Sequence, residues 1–248
     1  MSRRLDDLNL NGLKVYQDTD YFCFGIDSVL LANFVNSNSS KNIIIDLCSG
    51  SGVIPIIISA KKKYNKIFAV ELQEQMYKLL KDNIYLNKLN DKISGINEDI
   101  KDVAKIQEDM VEVIRSNTAD IIVCNPPYKK KGTGINNENE VKYIARHEVK
   151  CNIEDIFKTS SKLLKSKGKL YLVHKPDRLV DLFEIARKYN LEAKTIRFVH
   201  PSYNKAPTIV LIEYVKDGGK ELKILEPLIE YDENGNYTDE IYRIYDNI

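Results

Sequence analysis

From Lys41 to about Lys175, short apolar runs alternate with stretches whose apolar residues return every three or four positions. The runs Asn42–Leu47, Ile67–Glu71, Ile93–Ile96, Ala119–Cys124 and Gly168–His174 are bounded by turn residues and predict buried parallel strands. Between them, Met76, Leu79, Leu80 and Ile84 form one helical stripe, and Ile153, Ile156, Phe157 and Leu164 form another. Asp177 can cap a further helix running through Leu182, Phe183 and Ala186 to Tyr189. Strands and helices in alternation predict a parallel sheet covered by helices on both faces.

The pattern changes after Asn190. Glu192–His200 and Pro207–Val215 are β-rich runs joined by the loop Pro201–Ala206, which predicts an antiparallel pair at the sheet edge. Leu222–Tyr231 and Tyr237–Tyr245 flank the turn signal Asn234-Gly235 and repeat the β pattern more weakly. Before Lys41 one helical pattern stands out, Asp27–Val35, with Asp27 as its N-cap. No internal repeat and no linker rich in Pro, Gly or Ser divides the chain. A single domain over residues 1–248 is expected, with an N-terminal extension (1–40), a core (41–215) and a β-rich tail (216–248).

Composition narrows this picture only a little. A 43% hydrophobic, 29% charged chain of 248 residues can bury a sizeable core and is not wholly disordered. No apolar run approaches the roughly 18–20 residues of a membrane span. The N-terminus turns acidic at Asp6-Asp7 without the apolar stretch of a signal peptide, so a cytoplasmic protein is expected. Cys23, Cys48, Cys124 and Cys151 show no Cys-x-x-Cys pair, which argues against zinc or a disulfide framework and for small buried hydrophobes. The net charge is only +1, but Lys61–Lys63, Lys129–Lys131 and the group Lys162, Lys165, Lys167 and Lys169 are local clumps able to steer a polyanion.

Two segments carry chemistry. The first strand ends in Asp46-Leu47-Cys48-Ser49-Gly50-Ser51-Gly52, and a helix Val53–Ala60 follows at once. Glycines there let the backbone approach a ligand, and the helix start aims N–H groups at it. The turn lacks the third glycine of a dinucleotide fingerprint and the lysine of a P-loop. An acidic residue just before the turn repels phosphate but attracts an ammonium, as S-adenosylmethionine carries. Glu71 closes the second strand, about twenty residues on, where a carboxylate grips ribose hydroxyls. Asp99 follows the third strand, where an adenine amine could be received.

The fourth strand runs into Asn125-Pro126-Pro127-Tyr128. Two prolines remove two N–H donors and stiffen a loop rich in acceptors. An exocyclic amine conjugated to a ring is a poor nucleophile, because its lone pair is delocalised. Hydrogen bonds from its two N–H groups to the Asn125 side-chain oxygen and the Pro126 carbonyl favour a pyramidal, nucleophilic nitrogen. Tyr128 offers a face for base stacking, on the order of 1–3 kcal/mol. No general base is required, since the proton leaves after the methyl arrives.

Asp46, Gly50, Gly52, Glu71, Asp99 and Asn125–Tyr128, in this order, resemble the class I amino-methylating S-adenosylmethionine methyltransferases. The resemblance implies an α/β, Rossmann-like fold: a seven-stranded, mostly parallel sheet with an antiparallel terminal strand and helices on both faces. It also implies that Asp46, Gly50, Gly52, Glu71, Asp99 and Asn125 hold the cofactor. Phe24–Ala32, Tyr143–Glu148 and Arg197–Pro201 are similar to the bacterial valine-tRNA adenine-N6 methyltransferases, which modify an anticodon-loop adenine. In those enzymes the Phe24–Ala32 segment folds over the cofactor, which implies a place for Asp27 near its methionine end. Lys129, Lys130, Lys131 and Arg146 flank a Gly- and Asn-rich loop, Gly132–Asn139, and are expected to meet RNA phosphates, with tRNA or another RNA as partner. His147 reads equally as a structural residue, and His200 reads as a structural one ahead of a functional one.

Other readings share these motifs. The same tetrapeptide serves enzymes that methylate a glutamine amide in peptide-chain release factors, but those carry a longer helical domain before the glycine turn. DNA adenine methylation would call for a target-recognition domain. A non-catalytic RNA-binding scaffold would not need Glu71, Asp99 and Asn125. No metal is implied.

Overall fold

The N-terminus departs first from the sequence reading. The computed structural model describes residues 3–21, 23–103, 114–127 and 151–246. It begins with an antiparallel hairpin of β1 (Arg3–Leu10) and β2 (Leu13–Asp18), where only a helix was expected. Asn11 and Gly12 turn it with φ of 50° and 75°, the doubly left-handed geometry that Asn-Gly favours. The helix α1 (Ile26–Phe34) follows. Its N-cap is Gly25 rather than Asp27, which lies inside the first turn and accepts a bond at Oδ1 from the Ser28 N–H (2.9 Å).

The core then alternates as the apolar pattern predicts: β3 (Ile43–Leu47), α2 (Val53–Lys61), β4 (Lys66–Glu71), α3 (Glu74–Leu86), β5 (Ile93–Asn97) and β6 (Ala119–Cys124). After the next described stretch begins, α4 (Ile153–Leu163) leads to β7 (Leu164–His174). Asn152 caps α4 reciprocally with Asp155: its Oδ1 accepts from the Asp155 N–H (2.9 Å), and its own N–H donates to Asp155 Oδ2 (3.2 Å). The strand β7 starts earlier than Gly168, hidden in the sequence by the polar Lys165-Ser166-Lys167; a left-handed Lys167 (φ 63°) marks an irregularity in its pairing with β6. Asp177 does not cap α5 (Leu179–Lys188). It falls in a 3-10 turn, Pro176–Arg178, where Pro176 pre-sets the first φ.

The strands β8 (Leu191–His200) and β9 (Ile209–Lys216) form the predicted antiparallel pair. The short β10 (Lys223–Ile224) and β11 (Leu228–Ile229) both lie parallel to β8. Among the described residues the main sheet therefore has nine strands, in the order β10-β8-β9-β7-β6-β3-β4-β5 with β11 also on β8, where seven were expected. Strands β5, β4, β3, β6 and β7 are parallel, and β9 enters antiparallel between β7 and β8. The last segment is a helix, α6 (Asp239–Asp246), not a strand. Thr238 Oγ1 faces the Ile241 N–H (3.5 Å), two acids fill the first turn, and Ile241, Ile244 and Tyr245 return at helical spacing to pack on the core.

Alternation by two distributes the core over both sheet faces. Ile44, Ala69, Ile121 and Val123 face α1 and α2, while Ile45, Leu47, Val70 and Ile122 face α4 and α5. The hairpin is tied down by two asparagines one turn apart, Asn83 on α3 and its C-cap Asn87. Asn83 accepts from the Tyr16 N–H (2.6 Å) and donates to the carbonyls of Tyr16 (3.0 Å) and Ser51 (2.9 Å). Asn87 exchanges the same pair of bonds with Lys14. These carboxamides act as a surrogate strand edge, and Asn83, wholly buried, links the hairpin to the turn after β3. No helix among the described residues is long and apolar enough to cross a membrane.

Candidate active site

Parallel β3, β4, β5 and β6 end on one edge of the sheet, and a cleft opens there, as open α/β sheets dictate. Its empty volume, mouth included, is about 940 Å³. The turn after β3 makes its floor. Cys48, Gly50 and Gly52 all have left-handed φ (62°, 56° and 84°), and the Ser49 N–H reaches the Val70 carbonyl (2.8 Å), so the chain coils tightly before α2. A Cβ on Gly52 would stand 2.4 Å from Leu80 Cδ1, whereas one on Gly50 would meet only Met76 Cε at 4.0 Å. Gly50 faces the cleft; Gly52 lets α3 pack against the turn.

Glu71 forms one wall. Its Oε2 accepts from the Gly50 N–H (2.8 Å) and its Oε1 from the Gln73 N–H (2.8 Å). Burial pushes its carboxyl up to about 7 against those two bonds. Asp99 also lines the cleft, with Oδ1 accepting from the Lys101 N–H (3.0 Å) and Oδ2 paired to Lys101 Nζ (3.1 Å). Leu72, Met76 and Ile100 add an apolar lining to the same cleft. Asn125 and Pro127 close the end of β6, and Phe24 and Ser28 cover it from the N-terminal segment. The Asn125 Nδ2 donates to Ser28 Oγ (2.9 Å).

Gly50, Glu71, Asp99, Asn125 and Pro127 are thus brought together, and four other expected residues stand behind the wall. Asp46 is fully buried beneath the turn, where Ser49 Oγ donates to its Oδ2 and burial holds its carboxyl well above the usual range. Its Oδ1 has no hydrogen-bond partner among the described residues, an unusual state for a buried oxygen. Gly52, Asp27 and the buried Pro126 are likewise not in the lining. Tyr128, Lys129, Lys130, Lys131, Arg146 and His147 lie outside the described residues.

An acid-lined cleft with an apolar middle fits a ligand that brings hydroxyls, an amine and positive charge, and opposes one that brings phosphate. Similarity to known proteins agrees. Residues 25–132 match the model of the TRM5/TYW2 methyltransferase domain. A Histophilus somni protein named tRNA1(Val) (adenine(37)-N6)-methyltransferase is 28% identical over 229 residues, 91% of this chain and 89% of its own. The chain is a class I S-adenosylmethionine-dependent methyltransferase. Two solved structures share the fold of this methyltransferase. A predicted O-methyltransferase, Atu636 from Agrobacterium tumefaciens, has TM-score 0.68 at 19% identity, over 89% of this chain and 95% of that one. TYW2 of M. jannaschii, solved with AdoMet, has TM-score 0.56 at 17% identity, over 87% of each.

Some features of the methyltransferase site escape sequence reasoning. Ser28 was passed over beside Asp27, and the only signal for it is its place in the Phe24–Ala32 segment. Cys48 and Cys151 line the cleft and Cys124 is buried next to Cys48, the thiols of Cys124 and Cys151 within hydrogen-bonding reach of Cys48; burial foremost raises the Cys124 thiol. Scattered positions give no hint of that meeting. Among the described residues no cluster of three metal-ligating side chains occurs.

Proposed function

We propose that this methyltransferase acts on the N6 amine of an adenine in RNA, and that its substrate is the anticodon-loop adenine of a valine tRNA. The observation that carries the reading is the convergence of Asn125 and Pro127 with Glu71 and Asp99 in one cleft. A tRNA substrate rests on the names borne by relatives such as the Histophilus somni protein.

When bound, the cofactor supplies an electrophilic methyl group on a sulfonium. Glu71 accepts hydrogen bonds from ribose hydroxyls, Asp99 receives an adenine amine, and the Gly50 backbone lets the methionine end approach. Asp46 and Asp27 act from behind the wall, the first by bracing the turn through Ser49, the second through the start of α1. Asn125 Oδ1 and the Pro126 carbonyl receive the two N–H groups of the target base, extruded from its stack, and Tyr128 stacks on it. Lys129, Lys130, Lys131 and Arg146 take the phosphates beside the site.

Cofactor affinity depends on pH through Glu71. With its carboxyl near 7 in the free protein, the ionised form that suits hydroxyl donors and a cationic ligand prevails above pH 7 and is lost below it. Affinity for S-adenosylmethionine is expected to fall about tenfold between pH 8 and pH 6. Calorimetric titration measures it, and Glu71→Gln should flatten the profile. An equal slope in that variant would place the titrating group elsewhere.

Incubation with labelled S-adenosylmethionine and, separately, unmodified total tRNA, ribosomal RNA and release factor identifies the substrate. The label is expected in N6-methyladenosine from valine tRNA. Label on a release-factor glutamine, or in another nucleoside, would overturn the proposal.

A further inference from the structure

We infer that Cys48 and Cys151 are a modification site, oxidised by a peroxide to a reversible disulfide that weakens cofactor binding in the cleft. The inference rests on the reading of that cleft as the cofactor's and adds a second chemistry to it. Methyl transfer as proposed uses neither thiol. Both are free and half-buried, both line the cleft, and the Cys151 thiol lies within hydrogen-bonding reach of Cys48. Cys48 belongs to the turn after β3, and Cys151 stands just before Asn152, the cap of α4. The pair therefore joins two parts of the wall that are remote in sequence. Two reduced thiols this close at an open cleft can be reached by a small oxidant and closed into a bond.

The first thiol, as its thiolate, takes an oxygen from hydrogen peroxide and becomes a sulfenic acid, releasing hydroxide. The second thiol attacks that sulfur, forms the S–S bond and expels water. Two electrons pass from the sulfurs to the peroxide, and either thiol can react first, since the product is the same. Cys124 also lies within reach of Cys48 but is the poorer partner. It is fully buried, away from an oxidant, and is held in β6 in register with Leu47. Cys151 belongs to no helix or strand, so no ladder hydrogen bond is lost when its backbone follows the sulfur. A disulfide sets its sulfurs about 2 Å apart. Drawing Cys48 toward Cys151 pulls on a turn fixed by the Ser49 N–H on the Val70 carbonyl (2.8 Å) and the Gly50 N–H on Glu71 Oε2 (2.8 Å). The second bond orients the carboxylate proposed to hold the ribose, so the cross-link acts on the cofactor through Gly50 and Glu71.

Treating the reduced protein with hydrogen peroxide is expected to join the Cys48 and Cys151 peptides, seen by non-reducing peptide mass spectrometry as one species two hydrogens lighter than the pair. Affinity for S-adenosylhomocysteine, measured by calorimetry, is expected to fall about tenfold and to return with dithiothreitol. Cys151→Ser and Cys48→Ser should each abolish this cross-link. A cross-link to Cys124 instead, both thiols still free at a peroxide excess that oxidises free cysteine, or unchanged affinity in the cross-linked protein would overturn the inference. The cleft assignment is tested apart from it, on reduced protein without peroxide. Bound S-adenosylhomocysteine should slow alkylation of Cys48 and Cys151 by iodoacetamide. Equal rates with and without it would overturn the cleft assignment, whether or not the cross-link forms, so the two failures are told apart.

Discussion

Replacing Asn125 by alanine is expected to lower kcat by about 10³-fold and to leave the affinity for S-adenosylmethionine within about threefold of the wild type. The expectation follows from where the side chain stands. Asn125 follows β6 at the sheet edge where Glu71 ends β4, and its side chain is bonded to Ser28 rather than to Gly50 or Glu71 in any described hydrogen bond. On the proposed reading, truncation removes one preorganised acceptor from the developing charge on the attacking nitrogen, an effect typically of order 10²–10³ in kcat. It also loosens the alignment of nitrogen, methyl carbon and sulfur, to which displacement is sensitive. The backbone is stiffened by Pro126 and Pro127, so the loop keeps its course and the cofactor corner is undisturbed. Single-turnover methyl transfer and calorimetry together separate the two quantities. A loss below tenfold, or an equal loss of cofactor affinity, would remove Asn125 from the reacting centre.

Gly52→Ala is expected to destabilise the fold by about 2–4 kcal/mol. The residue has φ 84°, where any side chain is strained, and its new methyl would lie 2.4 Å from Leu80 Cδ1. Leu80 cannot yield cheaply: it is fully buried on α3, and Gly95 of β5 packs against its other side. The same helix carries Met76 into the cleft and Asn83 under the hairpin, so displacement spreads to both. Gly50→Ala is the control, since φ 56° strains it but only Met76 Cε lies near. It is expected to cost about 1 kcal/mol. Urea denaturation measures both, and a Gly52→Ala midpoint equal to that of Gly50→Ala would show that the turn and α3 separate easily.

The parts of the fold legible from sequence were those whose burial leaves a one-dimensional trace. Ile43-Ile44-Ile45 must be a strand covered on both faces, and Met76, Leu79, Leu80 and Ile84 must be a helix covered on one. The hairpin left a weaker trace because Arg3-Arg4 and Asp6-Asp7 interrupt the alternation, and the Asn11-Gly12 turn signal was missed without it. In the tail, four tyrosines suggested strands, while Thr238 with Asp239 and Glu240 already spelled a helix start. Gly50, Glu71, Asp99 and Asn125 were legible for a different reason. Parallel strands share an edge, so residues at their carboxyl ends must be neighbours whatever the loops do. That rule gives position and not aim, which is why Asp46 turned out to brace the floor. Ser28 depends on how α1 docks, a matter of packing that no local pattern records.

The crystal structure of the complex with S-adenosylhomocysteine bears most directly on the assignment of the cleft. The expected density has both ribose hydroxyls on Glu71, the adenine between Leu72 and Ile100, and the sulfur turned toward Asn125 with room for a methyl between them. A ligand bound elsewhere, or a sulfur facing away from Asn125, would contradict the assignment.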